Sequence, residues 1–188
     1  MCSSDLQKML PGHVFRYRPD GTMAEGTLCG NEVKTEDVFL REYFCEMVLR
    51  YLNLFDIDGL RLDVAYMVNR DFLKRLRAET QQWKKDFFLF GEILGGDYKV
   101  IMGDGKLHSA TNYECYKGLY SSFNSMNMFE ICHSLKRQFG PENWCPYRGK
   151  HLLSFVDNHD VSRIASQLTN EAHLPLIYGM LFAMPGIP

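Results

Sequence analysis

The residues of this chain best suited to chemistry are three acids, Asp63, Glu92 and Asp160, each of which follows a run of apolar residues. An arginine, Arg61, stands two positions before the first acid, so a strand through this stretch would direct Arg61 and Asp63 to one face. A charged pair on a buried face is costly and has two explanations. The two side chains form a structural ion pair, or the guanidinium holds in its ionised form a carboxylate that takes part in a reaction.

Three carboxyl groups at one edge of a sheet suit the cleavage of glycosidic bonds. In the retaining form of this reaction one carboxylate attacks the anomeric carbon, while a second carboxyl group protonates the leaving oxygen and later activates water; the two lie about 5 to 5.5 Å apart. Arg61 favours the ionised form of Asp63, and the apolar residues before Glu92 favour a protonated carboxyl group there. The three acids therefore predict one nucleophile and one proton donor.

A divalent metal site is the competing explanation for the run Asp157, Asn158, His159 and Asp160, which offers oxygen ligands and an imidazole. Neighbouring residues of a strand face opposite ways, so the four side chains cannot all reach one ion. This favours Asn158 and Asp160 pointing in one direction. His159 is open to two interpretations, a satisfied structural histidine or a donor to a sugar hydroxyl.

Apolar runs and helical periodicities alternate along the chain as in an α/β protein. Such alternation implies a parallel sheet with right-handed crossovers, either an open doubly wound sheet or part of an eight-stranded barrel. In both architectures reactive residues lie at the C-terminal ends of strands, so we expect the three acids at one rim. The predicted strands are residues 55–65, 86–92, 109–112 and 152–156, and the predicted helices are residues 35–53, 71–83, 113–123, 127–139 and 174–184.

An aromatic stripe on the helix predicted over residues 113–123 recurs at helical spacing. Its members are Tyr113, Tyr116, Tyr120 and Phe123. A stripe of this kind is typical of core packing rather than of a ligand platform. We therefore predict that these side chains pack in the core.

The composition limits the partners and the compartment. The net charge of −2 contains no basic block, which argues against nucleic acid or a membrane surface as a partner. The cysteines are widely spread, without metal-ligand spacing or the density of a small secreted scaffold, so we expect free thiols in a reducing, cytoplasmic compartment. They are Cys2, Cys29, Cys45, Cys115, Cys132 and Cys145.

Three segments, Asp58–Asp63, Gly91–Ile93 and Phe155–Asp160, resemble signature blocks of the α-amylase family, glycoside hydrolase family 13, in their order and approximate spacing. The flanking segments Asn112–Tyr120 and Met184–Pro188 are similar to those of bacterial members near the cyclomaltodextrinase and neopullulanase group. An ordered trio of motifs is far more specific than one motif alone.

The resemblance implies an eight-stranded parallel TIM barrel, of which this chain carries about strands four to seven. It implies that Asp63 is the nucleophile, that Glu92 is the general acid and base, and that Asp160 stabilises the transition state. The side chains implied around the substrate are Arg61, Asn158 and His159. Many relatives carry a Lys-His pair where this chain has Tyr66 and Met67, so no obligatory calcium or other cofactor is expected.

The activity implied is retaining hydrolysis of α-glucosidic bonds in maltooligosaccharides, cyclodextrins or starch-type glucans through a covalent glycosyl-enzyme intermediate. Transglycosylation or isomerisation of α-glucosides, and a catalytically silent fragment or glycan-binding module, are the alternatives. Residues 1–34 are expected to form a loop region leading out of a preceding barrel segment, and residues 35–188 a partial barrel. The family's first block is expected upstream and its eighth strand after Pro188, so the isolated chain would be inactive, with open sheet edges that favour a homo-oligomer.

Overall fold

The structure, a computed structural model, describes residues 3–26 and 30–188. These residues form two compact units. The first comprises the chain up to Leu60 together with Met67–Phe88, and the second comprises Arg61–Tyr66 together with Leu89–Pro188. Every predicted site residue belongs to the second unit.

The first unit is built around helices α1 (Ser3–Met9), α2 (Val38–Phe55) and α3 (Arg70–Trp83). Helices α2 and α3 pack against each other, with the rings of Phe44 and Phe72 6.2 Å apart. Helix α1 was not predicted, since residues 1–34 read as loop.

Short antiparallel contacts fold the segment that follows α1. Three isolated bridges join Phe15 to Val33, Tyr17 to Met23 and Glu25 to Asn31. The turn between Tyr17 and Met23 is stabilised by Asp20, whose carboxylate accepts a hydrogen bond from the backbone N–H of Thr22 at 2.9 Å. The chain therefore pairs here without forming a regular strand.

Helix α2 begins at a different residue from the one that the sequence favours. The helix predicted over residues 35–53 would begin at Thr35, but the carboxylate of Asp37 caps the helix by accepting from the amides of Phe39 and Leu40 at 2.9 and 3.2 Å. Thr35 instead accepts from the backbone N–H of Asn69 at 2.9 Å. A carboxylate suits the positive end of the helix dipole better than a hydroxyl does.

Three short strands form one sheet in the order β1-β2-β3, with bounds Gly59–Leu62, Phe88–Gly91 and Ser109–Ala110. β2 and β3 run parallel, with Gly91 opposite Ala110. A methyl group at Gly91 would lie 2.4 Å from the Leu107 side chain and 2.5 Å from that of Ala65, so only glycine fits at this strand end.

The prediction of a regular strand over residues 152–156 is wrong. Only Leu153 pairs, in parallel bridges to Thr111 on one side and to Ile187 on the other. The neighbours explain the short pairing, because β3 has two residues and Pro188 has no N–H to extend a ladder. The bridge from Leu153 to Ile187 adds one further parallel neighbour to this edge of the sheet.

Neighbouring strands follow the order of the chain, since β1, β2, β3, Leu153 and Ile187 are paired one after another. A doubly wound sheet reverses its strand order at a switch point, whereas a barrel adds each strand beside the previous one. The sequential order favours a segment of a barrel. The α/β fold is therefore confirmed as a partial one, and the assignment to strands four to seven stays a prediction.

The helices of the second unit are α4 (Tyr113–Ser125), α5 (Phe129–Phe139), α6 (Ile164–Gln167) and α7 (Leu174–Ala183). Short 3₁₀ turns cover Ala65–Met67, Tyr98–Val100 and Glu171–His173. The buried cluster between the helices includes Leu119, Ile131, Ile164 and Ile177. No helix within residues 3–26 and 30–188 is both long and apolar enough to cross a membrane.

Four of the cysteines are free thiols, namely Cys45, Cys115, Cys132 and Cys145. Burial raises the pKa of Cys45 to about 11 and that of Cys115 to about 12, which leaves both protonated at neutral pH. Cys2 and Cys29 lie outside the described residues.

Candidate active site

The end of β1 presents Arg61 and Asp63, but not on one buried face. Arg61 lies within the strand and is half-buried, whereas Asp63 lies beyond its last residue, Leu62, with 69% of its side chain exposed. The expectation that both are buried is therefore wrong for Asp63. The cause is local: Val64 has a φ of 46°, in the left-handed region, so the chain leaves the strand direction immediately after Asp63.

Arg61 brings together the carboxyl groups of the three predicted acids. Its Nη2 atom lies 3.1 Å from Asp63 Oδ1, 3.1 Å from Glu92 Oε1 and 3.9 Å from Asp160 Oδ2. Two oxygens that share one nitrogen neighbour are separated by no more than the sum of these distances, which is 6.2 Å for Asp63 and Glu92. This limit includes the spacing of about 5 to 5.5 Å of a retaining carboxyl pair.

Glu92 is the most buried of the three acids, and its surroundings are polar. It follows the last residue of β2, where its backbone N–H donates to the carbonyl of Leu62 at 2.9 Å. Its Oε2 accepts from the N–H of Val64 at 3.1 Å, and its Oε1 receives both Arg61 and the hydroxyl of Tyr113 at 3.4 Å. The expectation of an apolar setting is wrong, because polar groups from neighbouring strand ends converge on the position beyond the strand.

Asp157 anchors the segment that carries the third acid. Its Oδ2 accepts from the N–H of Ile164 at 2.8 Å at the first residue of α6, and its Oδ1 lies 2.8 Å from Arg163 Nη1. Both oxygens of the Asp157 carboxylate are therefore engaged in joining the two ends of this loop. Asp157 has a structural role, and the candidate site residues are those that follow it.

The residues Asn158, His159 and Asp160 form a turn rather than the end of a strand. The N–H of Asp160 donates to Asn158 Oδ1 at 2.8 Å, which is the geometry of an Asx turn. His159 Nε2 lies 3.0 Å from Asp160 Oδ2 and 3.3 Å from Arg61 Nη1. When Nε2 carries a proton it can donate to Asp160 but cannot accept from Arg61, so that tautomer favours the contact with Asp160. Because strand alternation does not apply in a turn, His159 and Asp160 both lie near Arg61.

Tyr113 reaches this site although the sequence suggested a core residue. It is the first residue of α4, and its hydroxyl contacts both Glu92 and the amide of Asn158, the latter at 2.9 Å. The stripe prediction holds for Tyr116 and Phe123, which are buried. The signal that identifies Tyr113 is its position just beyond β3. The expectation that reactive residues lie at the C-terminal ends of strands, which we call the rim rule, applies to a phenol as it does to a carboxyl group.

A cavity of about 330 Å³ opens beside these residues. Its wall includes Arg61, Phe90, Ser154, Asn158 and His159. A volume of this size lies at the lower end of the range for small-molecule pockets. Among the residues that the structure describes, no three histidine, cysteine, aspartate or glutamate side chains are grouped as they would be around a metal ion.

A family model and curated relatives match most of this chain. The catalytic-domain family of alpha amylase matches residues 30–188. The intracellular maltogenic amylase of Bacillus subtilis (strain 168) is 26% identical over 160 residues, which are 84% of this chain and 27% of that protein. The chain thus spans little more than a quarter of the length of that relative.

Solved structures show the same fold. An alpha-amylase of Anoxybacillus superposes with a TM-score of 0.80 at 21% identity, over 100% of this chain and 44% of that one. A cyclomaltodextrinase superposes with a TM-score of 0.80 at 19% identity, over 97% of this chain and 33% of that one. With the family match over most of its length and these barrel enzymes as its structural neighbours, the chain belongs to the alpha-amylase family of glycoside hydrolases.

Proposed function

We propose that this chain carries the catalytic residues of a retaining α-glucan hydrolase. The observation that carries the proposal is the position of Arg61 Nη2, which lies within 3.9 Å of an oxygen of each of the three acids. One guanidinium between three carboxyl groups offsets their mutual repulsion and holds them at one rim. The separation of Asp63 and Glu92 oxygens, at most 6.2 Å, suits a direct attack by one of them.

The exposure of the acids divides their roles. Asp63 is largely open to solvent and ionised beside Arg61, so in our scheme it attacks the anomeric carbon and forms the glycosyl ester. Glu92 is the less exposed of the two, and in our scheme it is the acid that gives its proton to the glycosidic oxygen as that bond breaks. In the second step Glu92 takes a proton from water, whose oxygen attacks the anomeric carbon and releases Asp63.

Three hydrogen-bond donors surround the carboxyl group of Glu92. Val64, Arg61 and Tyr113 all direct donor groups at its two oxygens, which suits the ionised carboxylate after proton transfer. A proton on Oε2 leaves that oxygen one acceptor site for the N–H of Val64 and leaves Oε1 two, so all three donors can stay in place when Glu92 acts as the acid.

Asp160 and His159 complete the scheme on the substrate side. Half of the Asp160 side chain is exposed, and His159 is more exposed still, so both can reach sugar hydroxyl groups without losing their contact with the turn. A carboxylate that faces the developing positive charge of the sugar ring stabilises the transition state more than the ground state. We assign Asp160 this electrostatic role and His159 a contact with the bound sugar.

The substrate class follows from the relatives. Maltogenic amylase and cyclomaltodextrinase are the names of proteins similar to this chain, so maltooligosaccharides and cyclodextrins are the substrates that we propose. A relative named as intracellular supports a cytoplasmic location. Both proposals concern the whole protein that contains this chain.

Hydrolysis of maltotriose by the protein that contains this chain tests the function. We expect Glu92→Gln, Asp63→Asn and Asp160→Asn each to lower kcat by at least about 100-fold, as loss of an acid–base group, a nucleophile or a group that stabilises transition-state charge does. Glu46→Gln, an exposed glutamate of α2, is the matched control and should retain the wild-type rate. NMR of the first product should show the α-anomer, and normal turnover by Glu92→Gln or an initial β-anomer would contradict the proposal.

A further inference from the structure

A continuous hydrogen-bond chain joins the turn of Asp160 to the carboxylate of Glu92. The N–H of Asp160 donates to Asn158 Oδ1 at 2.8 Å, and this contact fixes which way the Asn158 amide points. Its Nδ2 therefore donates to the hydroxyl oxygen of Tyr113 at 2.9 Å. Because that oxygen already accepts, the hydroxyl proton of Tyr113 is directed to Glu92 Oε1, 3.4 Å away.

The ring of Tyr113 is held in place by aromatic neighbours. It meets the ring of Phe155 edge-on, with centroids 4.9 Å apart, and that of Tyr116 at 6.0 Å. Phe155 and Tyr116 stack on each other with centroids 5.2 Å apart. Edge-to-face pairs of this kind restrain the orientation of the ring, so the hydroxyl of Tyr113 stays close to its hydrogen-bond partners.

The hydroxyl of Tyr113 keeps its proton over the working range of a hydrolase. Burial raises its pKa, and the nearby charges of Glu92 and Asp160 raise it further, against a lowering by the hydrogen bond from Asn158. Tyr113 is consequently a donor to Glu92 and does not act as a base.

We propose that Tyr113 is a positioning residue that holds Glu92 between its two proton transfers and couples it to the Asn158 turn. The inference rests on the proposed function, in which Glu92 becomes negatively charged when its proton moves to the glycosidic oxygen. The bond from Tyr113 is then charge-assisted and stronger than the bond to the neutral acid. Tyr113 retains its own proton throughout, so it guides the carboxylate without entering the proton balance.

The consequence is a loss that depends on the leaving group. A sugar leaving group needs the proton of Glu92, whereas fluoride leaves without one. Tyr113→Phe should lower kcat/KM for maltotriose by about 10-fold, the lower end for a hydrogen bond to a charged group because the contact is long. The same variant should change kcat/KM for release of fluoride from α-maltosyl fluoride by less than about twofold, since loss of fluoride does not use the general acid.

The pH profile supplies a second readout. The alkaline limb of kcat/KM for maltotriose reports the loss of the proton that the acid must carry. Removing a donor that favours the carboxylate makes proton loss harder, so this limb should move to higher pH in Tyr113→Phe. A purely structural role of the tyrosine would lower the whole profile and leave the limb in place.

The control is Tyr116→Phe, which removes the hydroxyl of the next aromatic residue of α4, where it accepts from Gln167 Nε2 at 2.9 Å. This variant should keep the wild-type ratio of the two substrates. If Tyr113→Phe does not fold, Asn158→Ala removes the other partner of the Tyr113 hydroxyl; because it also frees the N–H of Asp160, it should lower both reactions, and that of maltotriose more than that of α-maltosyl fluoride.

Two results overturn the inference, and they are distinguishable. Equal losses on maltotriose and α-maltosyl fluoride with an unmoved alkaline limb would show that Tyr113 acts only in packing, and the proposed function would stand. A wild-type protein that released neither product would instead refute the proposed function, and the positioning role with it.

Discussion

Val64 is the residue at which backbone strain and the proposed chemistry meet. It carries a β-branched side chain at a φ of 46°, directly after Asp63, and its N–H donates to Glu92 Oε2. A left-handed conformation costs an L-residue about 1–2 kcal/mol, and β-branched residues are rare there. We predict that Val64→Gly relieves this strain and at the same time makes the position of Asp63, the nucleophile in our proposal, less well defined.

The expected free energy of unfolding follows from three opposing effects. Relief of strain stabilises by about 1–2 kcal/mol. The greater freedom of glycine in the unfolded chain costs about 0.5–1 kcal/mol, and losing a half-buried valine side chain costs roughly 1 kcal/mol. The variant should therefore stay within about 1 kcal/mol of the wild type.

A matched variant isolates the strain. Val68 is also half-buried but is not among the described residues with positive φ. Val68→Gly has the same two costs without the relief, so it should lose roughly 1.5–2 kcal/mol. Urea unfolding with linear extrapolation measures both variants. Equal destabilisation of the two would refute the idea that Val64 is strained.

Activity completes the test. A glycine after Asp63 widens the range of directions that the Asp63 carboxylate adopts, and a displacement of this kind can cost up to about 100-fold in rate. We expect Val64→Gly to lower kcat/KM for maltotriose by about 10-fold with its stability preserved. Unchanged activity would mean that the left-handed residue does not position Asp63.

Two further predictions concern packing and pH. Gly91→Ala would place a methyl group 2.4 Å from the Leu107 side chain, so unfolding should show a loss of about 1–3 kcal/mol, and a cost below about 0.5 kcal/mol would contradict the close approach. Burial would raise the pKa of Glu114, but hydrogen bonds, led by that from Arg137, lower it overall. The stability that this lowered pKa supplies is present above the unfolded value of about 4.3 and is lost as pH falls through the folded value. Glu114→Gln should thus cost about 1–2 kcal/mol at pH 7, and in unfolding experiments this cost should shrink as the pH falls through the folded value; a pH-independent cost would refute the ion pair with Arg137 as its source.

The rim rule explains how much of the site could be predicted from sequence. Asp63, Glu92 and Asp160 each follow an apolar run, and parallel strands bring such positions together whatever the details of packing. The same rule applies to Tyr113, but helical spacing of aromatic residues also describes a core. Sequence cannot separate the two interpretations for a residue whose ring packs and whose hydroxyl reaches the site.

Other features depend on tertiary structure that no local pattern contains. The exposure of Asp63 follows from the left-handed φ of Val64, a conformation that valine does not favour by itself. The pairing of Leu153 is limited by how many residues its neighbours offer, and the length of β3 is decided elsewhere in the chain. The polar setting of Glu92 arises from groups that are distant in sequence, which a reading of its apolar predecessors misses.

The sequential pairing of the strands has a consequence for synthesis on the ribosome. Parallel partners are 19 positions apart at Gly91 and Ala110 and 42 apart at Thr111 and Leu153, so each strand can join the sheet soon after it emerges. The acids then assemble in chain order, with Asp160 last. Until that residue is made, Arg61 has only Asp63 and Glu92 as partners among the three acids, so the turn to which we assign the sugar contacts would complete the proposed site last.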